Sequence, residues 1–378
     1  MLALLHTTQA QDKAKRKVAK SFDKMLKKKD VHNGFVQIKS ADGVLNWKFT
    51  GGTFQDGTPV GEANPFHSAS LGKTFTATII MKLAEEGKLQ LNDKMAAYLD
   101  SETVKGLHVF EGVDYSQEIT IAQLLQHTSG LPDYLMDKPK DGSTDMLTLV
   151  LENPNKYWEV GEMIAFSKEK MEAHFKPGEG YYYTDTEYLL LGRIIERNYQ
   201  KQLHEVFADE FFIPLQMNHT SMFKRSKPAK ETGAMAEFYV DETEISNFNS
   251  LTIDWAGGGL VTTTEDLITF EQALFNGEII SQSSFQQMQN WIQESKGTYY
   301  GFGLRRYDLR EFLRFLPELN LIGHTGSSAA FSFYCPELEV YIAGSFNQTN
   351  QVEEAVKFVF QALMVLKYDY FKPFNNEP

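Results

Sequence analysis

The run Ser70-Leu71-Gly72-Lys73 sets a hydroxyl and an amine three residues apart. On a helix, side chains at that spacing share a face one turn apart. A serine hydroxyl is a poor nucleophile until a base removes its proton. An amine one turn away can do so once its pKa, ordinarily about 10.4, is lowered by burial or by positive potential. A helix N-terminus supplies such potential, and its free backbone N–H groups point where an oxyanion would develop. The chemistry on offer is acyl transfer through a covalent serine ester. A four-residue pattern of this kind also arises by coincidence on surface helices, so it needs companions.

Other local patterns carry less. Gly72-Lys73-Thr74 looks like the end of a phosphate-binding loop, but His67 stands where that loop needs its first glycine. Gly257-Gly258-Gly259 lacks the spaced third glycine and preceding strand of a dinucleotide fingerprint. The nine histidines show no spacing such as His-Glu-x-x-His, so no metal and no cofactor are expected. His127, in His127-Thr128-Ser129-Gly130, reads as a loop anchor. Tyr181 and Tyr182 could line a pocket or simply pack. Cys335 sits in an apolar strand pattern and reads as a core residue, with a Cys/His pair to His324 as the other option. A single cysteine excludes an internal disulfide.

The elements that must position these residues follow from periodicity. Residues 34–50 hold two short runs broken by Ala41-Asp42-Gly43, a hairpin signal. Leu71, Phe75, Ile79 and Leu83 line one face of a helix over 71–86 that Gly87 stops. From about 88 to 250 helices and long loops dominate. Thr120 with Gln123, and Thr184 with Glu187, look like capping boxes, the first opening a short helix that ends near Gly130. Tyr188, Leu191 and Ile195 form a helical stripe behind the second. From about 299 the period returns to two, and GFGLRRY with LIGHTGSSAAFSFYCPELEVYIAGSFN reads as three strands. A last helix covers roughly 351–367. Strands at both ends with helices between them imply an α/β (α+β) fold. Its antiparallel sheet would be built from residues 1–87 and 251–378 and flanked by helices. A mainly helical subdomain, 88–250, would be inserted.

Hydrophobic residues make up 42% of the 378, enough for a sizeable core. A net charge of −13 argues against general nucleic-acid binding, which needs a basic face. No apolar run approaches the roughly 20 residues that span a bilayer, so no stable membrane insertion is expected. Residues 11–30 carry nine Lys/Arg and three Asp, a net of +6, with Val18, Phe22 and Met25/Leu26 at helical spacing. A membrane-surface or nucleic-acid arm is conceivable. A terminal helix packed on the fold with a solvated basic face is the plainer reading. Residues 1–10 read as a disordered terminus, which favours the cytoplasm. If they are the remnant of a signal peptide, a periplasmic or secreted protein follows.

Two further pieces change the weight of Ser70 and Lys73. Tyr183-Thr184-Asp185 follows Pro177-Gly178, and His324-Thr325-Gly326 lies on an expected strand. Ser-x-x-Lys, Tyr-x-(Asn) and (Lys/His)-Thr-Gly in that order resemble the penicillin-recognising serine hydrolases. That β-lactamase-related superfamily takes in class C β-lactamases, DD-peptidases and related esterases and D-amino-acid peptidases. The resemblance spans about 34–365 and includes 124–132 (LLQHTSGLP), Ala256-Gly257-Gly258-Gly259-Leu260 and Tyr300-Gly301-Phe302-Gly303.

It implies that Ser70 is acylated, that Lys73 accepts or relays its proton, and that Tyr183 is the second acid/base. His324 would hold the place of a lysine, supporting Tyr183 and a substrate carboxylate. The backbone N–H groups of Ser70 and Ser327 would form the oxyanion hole, with Thr325 and Gly326 along the substrate. Asp185 stands where the family most often has Asn, so it would pair with Lys73 or simply cap the following helix. The expected activity is that of a serine hydrolase of esterase, D-amino-acid peptidase/carboxypeptidase or weak β-lactamase type. Its partner would be a small-molecule or short-peptide substrate. The alternative is a penicillin- or ligand-binding protein of the same fold without turnover. Oligomeric state is not legible.

Overall fold

The computed structural model describes residues 2–312 and 314–371, with side chains from Gln11 onward. Six helices matter to the site: α1 (Leu2–Leu26), α2 (Gly72–Glu85), α3 (Ile121–Leu125), α4 (Asp185–Tyr199), α5 (Thr264–Phe275) and α6 (Val352–Val365). The main sheet has eight strands: β1 (Asn33–Ser40), β2 (Asn46–Gly52), β3 (Ile292–Ser295), β4 (Thr298–Tyr300), β5 (Arg305–Asp308), β6 (Asn320–Thr325), β7 (Phe331–Cys335) and β8 (Val340–Ser345). They run in the order β3-β4-β5-β6-β7-β8-β1-β2, antiparallel throughout. The first hairpin thus joins the C-terminal strands edge to edge, with Val36 opposite both Phe49 and Gly344. Chain from about 88 to 250 is mostly helix and loop.

Strand alternation divides the apolar residues between two cores. On β1, Val36 and Ile38 face one way and Phe35 the other; on β8, Val340 and Ile342 oppose Tyr341 and Ala343. The smaller core lies under α1 and α6, where Val18, Phe22, Phe358 and Val359 meet the sheet. The larger one joins the opposite face to α5, α2 and α4.

The sequence pattern departs from the structure in four places. Residues 2–10 continue α1 where a disordered terminus was expected. They contain neither glycine nor proline, so nothing stops a helix whose C-terminal half is anchored by Ala14, Val18, Phe22 and Met25. That anchoring also gives the packed terminal helix, with Lys17 reaching Asp369 at 2.7 Å. Second, the chain from about 299 forms five strands, β4 to β8, where three were expected. GFGLRRY is no single strand, because Gly303, at φ +65°, turns the chain between β4 and β5. Third, α3 carries the Thr120–Gln123 capping box but ends at Leu125, before Gly130. At α4, Thr184 does cap, through the Thr186 N–H at 3.1 Å. Glu187 does not complete a box there, because its carboxyl is taken by His127 and Ser129.

Candidate active site

Ser70 sits in a short 3₁₀ turn, Ala69–Leu71, that runs directly into α2. Ala69 adopts φ +46°, a conformation that L-residues with a side chain rarely hold, so the turn before Ser70 is strained. The end of β6 lies across it. A β-carbon on Gly326 would collide with the Ser68 carbonyl oxygen and come 3.3 Å from the Ser70 nitrogen. Only glycine permits that approach, and the approach brings Ser327 beside Ser70. Neither the Ser70 nor the Ser327 backbone N–H donates to an acceptor among the described residues. Two free donors on abutting segments are what a developing oxyanion requires.

Lys73 is fully buried one turn along. Its Nζ donates to Ser70 Oγ at 3.3 Å, to the Gly257 carbonyl at 3.3 Å and to Asp185 Oδ1. Three ammonium protons thus meet three acceptors. Burial pushes Lys73 down, but the charge of Asp185, with smaller help from Tyr183 and Asp254, holds it well above the usual lysine range. The lowered pKa that would make it a ready base is not its resting condition. Asp185 is the first residue of α4; Thr184 holds the cap, leaving the Asp185 carboxylate to Lys73. Gly257 permits this packing, since a β-carbon there would stand 2.8 Å from Asp185 Oδ1.

Tyr183 lies against the same amine, with Lys73 Nζ 4.9 Å from its ring centroid. Burial raises its phenol to about 12, Lys73 and Arg305 opposing the rise. Behind it, His127 packs tilted at 4.3 Å between ring centroids, and Tyr300 closes edge-on at 5.8 Å. His127 bonds the carboxyl of Glu187 through Nδ1. Burial drives Glu187 up and His127 down, favouring the uncharged form of each, while hydrogen bonds from Ser129 oppose the rise at Glu187. His127 therefore anchors the loop and also backs Tyr183.

His324 is buried, and both ring nitrogens are engaged. Nδ1 donates to the Thr325 carbonyl at 2.6 Å, and Nε2 accepts from the Tyr300 hydroxyl at 3.0 Å. Burial first, then the charges of Arg305 and Lys73, keep its pKa well below the usual histidine value. It reaches Tyr183 at 6.3 Å between centroids and brings no positive charge. That charge comes from Arg305, which the sequence reading missed. Its Nη1 donates to Thr325 Oγ1 at 2.7 Å while Nε and Nη2 grip Glu294 at 2.7 and 2.8 Å. Nothing local in the sequence marks it, since a charged residue at an alternate strand position is ordinary and only the fold pairs its strand with His-Thr-Gly. Asp254 was missed too, lying two residues before the stretch Ala256–Leu260. Cys335 is buried in β7 and its thiol is pushed up by burial, as expected of a core residue. Among the described residues, no cluster of His, Cys, Asp and Glu could hold a metal.

Beside the Ser70 turn opens a cleft of about 310 Å³. Ala69, Gly258 and Ser327 form its inner edge, and Leu135, Leu147, Val150, Phe238, Leu251 and Ile253 much of the rest. Among the described residues no helix is long and apolar enough to cross a membrane.

Comparison with known proteins identifies the family and the fold. The chain is 29% identical over 310 residues to penicillin-binding protein 4* of Bacillus subtilis, covering 76% of this chain and 63% of that protein. It is 28% identical over 257 residues to protein flp of Staphylococcus aureus, covering 66% and 48%. The chain thus spans about half to two thirds of the length of those relatives. Among solved structures, the D-amino acid amidase of Ochrobactrum anthropi SV3 with D-phenylalanine superposes with a TM-score of 0.75 at 19% identity, covering 94% of this chain and 99% of that one. The D-stereospecific amidohydrolase of a Streptomyces species gives 0.73 at 22%, covering 91% and 96%. These place the mixed sheet-and-helix architecture in the β-lactamase/transpeptidase-like fold. The family model described as Beta-lactamase matches residues 30–364, and the chain belongs to the Beta-lactamase family.

Proposed function

We propose that the protein is a serine hydrolase that cleaves an ester or amide through an acyl-enzyme on Ser70. The observation that carries this is the convergence of Ser70 Oγ, Lys73 Nζ and two free backbone N–H groups at one strained turn. With Lys73 resting as an ammonium, the proton it shares with Asp185 must pass to that carboxylate before the amine can take the Ser70 proton. Ser70 Oγ then bonds to the substrate carbonyl carbon, whose oxygen gains charge facing the Ser70 and Ser327 N–H groups. As the carbon–leaving-group bond breaks, the neutral Tyr183 phenol gives its proton to the departing atom and regains one from Lys73. Water attacks the acyl-enzyme in the reverse sense, and Ser70 is restored. His324, held neutral, orients Thr325 and Tyr300; the Arg305 guanidinium beside Thr325 supplies the positive charge for an anionic substrate end. The division into a sheet subdomain (1–87 and 251–378) and a helical one (88–250) fits a cleft between them.

Intact-mass measurement after exposure to a fluorophosphonate, a penicillin and p-nitrophenyl esters tests this. The expected result is a single adduct on the native protein, none on Ser70→Ala, and a loss of ester turnover on the order of 10³-fold or more. An adduct on Ser70→Ala would remove Ser70 as nucleophile. A stable adduct without turnover would make this a binding protein.

A further inference from the structure

Helix α1 buries one side and leaves the other bare. Ala14, Val18, Phe22 and Met25 are buried in the core shared with the sheet and α6. On the opposite side stand Lys13, Arg16, Lys17, Lys20, Lys24 and, one residue past the helix, Lys27, all of them exposed. Residues three and four apart share a face, so these cations form one stripe, about 21 Å long at a rise of about 1.5 Å per residue. Among the described residues, Lys17 alone of these has an ionic partner, Asp369. Asp12 and Asp23, the acids of α1, flank the stripe on one side and pair with none of its cations.

The fold itself gains nothing from this arrangement. Lys13 and Lys17, Arg16 and Lys20, and Lys20 and Lys24 set like charges four apart, which weakens a helix. Packing needs only the apolar side, and a solvated face works with both signs mixed. Residues 11–30 nevertheless carry a net of +6 in a chain whose total is −13. A straight row of cations on one side of a packed helix matches a plane of negative charge. Duplex nucleic acid is read by a helix that enters a groove, and α1 has its apolar side held against the sheet. The sequence ahead of the stripe, Leu2-Ala3-Leu4-Leu5, is apolar, which a lipid interface accommodates and a phosphate backbone does not.

We infer that the α1 stripe docks the protein on an anionic phospholipid surface, peripherally and without insertion. The sheet then fixes the orientation. α1 and α6 cover one face, while α2, which follows Ser70, packs on the other. The docked protein therefore turns its Ser70 cleft away from the bilayer and towards solution. At physiological salt a surface field decays within about 8 Å, so the bilayer senses the stripe more than the acidic bulk behind it.

Cosedimentation of the full chain with large vesicles tests the assignment. At about 0.1 M salt the protein should partition onto vesicles of phosphatidylcholine with about one third phosphatidylglycerol, and not onto phosphatidylcholine alone. Raising the salt to about 0.5 M should release it, a measurement that needs no variant to fold. Each cation near such a surface contributes roughly fivefold, so the triple variant Lys20→Gln, Lys24→Gln, Lys27→Gln should partition on the order of 10²-fold more weakly. Its turnover of a p-nitrophenyl ester should equal that of the native protein, since none of the three side chains reaches the Ser70 site. A fluorescent DNA duplex at the same salt should stay unbound. Absence from anionic vesicles, equal partition onto neutral ones, or a triple variant that binds like the native protein overturns the inference. DNA bound as tightly as the vesicles overturns the lipid assignment in favour of nucleic acid.

Discussion

The two walls of the cleft beside Ser70 bury titratable groups in opposite ways. On the wall carrying Ser70, Lys73 is fully buried and still charged, because Asp185 pairs with it and Ser70 and Gly257 take its other protons. On the apolar wall His67 is almost as deeply buried, has only the Ser246 carbonyl at 2.8 Å and the rings of Phe223 and Phe238, and is driven to its neutral form. Burial alone always favours the uncharged state; a charge survives only where partners were folded in with it. One wall thus keeps a buried charge by pairing it, and the other leaves its buried imidazole uncharged.

The largest effect that tests this division is expected at Tyr183. Removing the hydroxyl in Tyr183→Phe leaves the ring packing on His127 and Tyr300 intact but removes the proposed acid/base. kcat should fall by roughly 10²–10⁴-fold with KM little changed. Steady-state kinetics on an ester substrate checks it. A raised KM at constant kcat would make Tyr183 a binding residue instead.

Next comes the ion pair. Asp185→Asn leaves Lys73 buried beside a neutral amide, and breaking one side of a buried pair costs roughly 3–5 kcal/mol. Denaturant midpoints at unchanged m-value should show it. With Asp185 gone, Lys73 has no carboxylate to take its proton and must lose it to solvent before acting as base; the largest influence left on it is burial, which lowers its pKa, so the rising limb of the variant's pH–rate profile should report Lys73. The amide also regains a donor for substrate carbonyls, which should raise amide hydrolysis relative to ester hydrolysis by roughly tenfold. A loss below about 1 kcal/mol would mean that Asp254 and other neighbours already carry Lys73, and that the two walls are less distinct than their contacts suggest.

What could be read from sequence follows the same division. Ser70, Lys73, Tyr183 and His324-Thr325-Gly326 were legible because each sits in a short pattern whose spacing has a local meaning, a helical turn or a strand end. The sheet's composition was legible because alternation and the Asp42-Gly43 turn are local as well. Arg305 and Asp254 were not, since their importance comes from neighbours remote in sequence: Thr325 and Glu294 for one, and Lys73 for the other. Glu187 was misread for a related reason. Its position three residues after Thr184 suits a capping box, and only the fold brings His127 and Ser129 to it. The resting charge of Lys73 was equally out of reach, because it depends on how much of Asp185's field the burial leaves unscreened.

The smallest expected effect isolates the apolar wall. His67 has a folded pKa of about 4 against an unfolded value of about 6.5. Between those values the unfolded chain binds the extra proton and the folded one does not. Stability therefore rises with pH through this window. The contribution is full above about 6.5 and is lost as pH falls towards 4, at about 1.4 kcal/mol per unit. His127 and His324 are also held neutral, so the native protein should lose stability in acid more steeply than one histidine allows. His67→Gln keeps a donor for the Ser246 carbonyl and removes only the titration. Its denaturant midpoint should match that of the native protein at neutral pH and rise above it as the pH falls towards 4. Parallel curves for the two proteins would mean that His67 titrates normally and that the apolar wall is wetter than its lining implies.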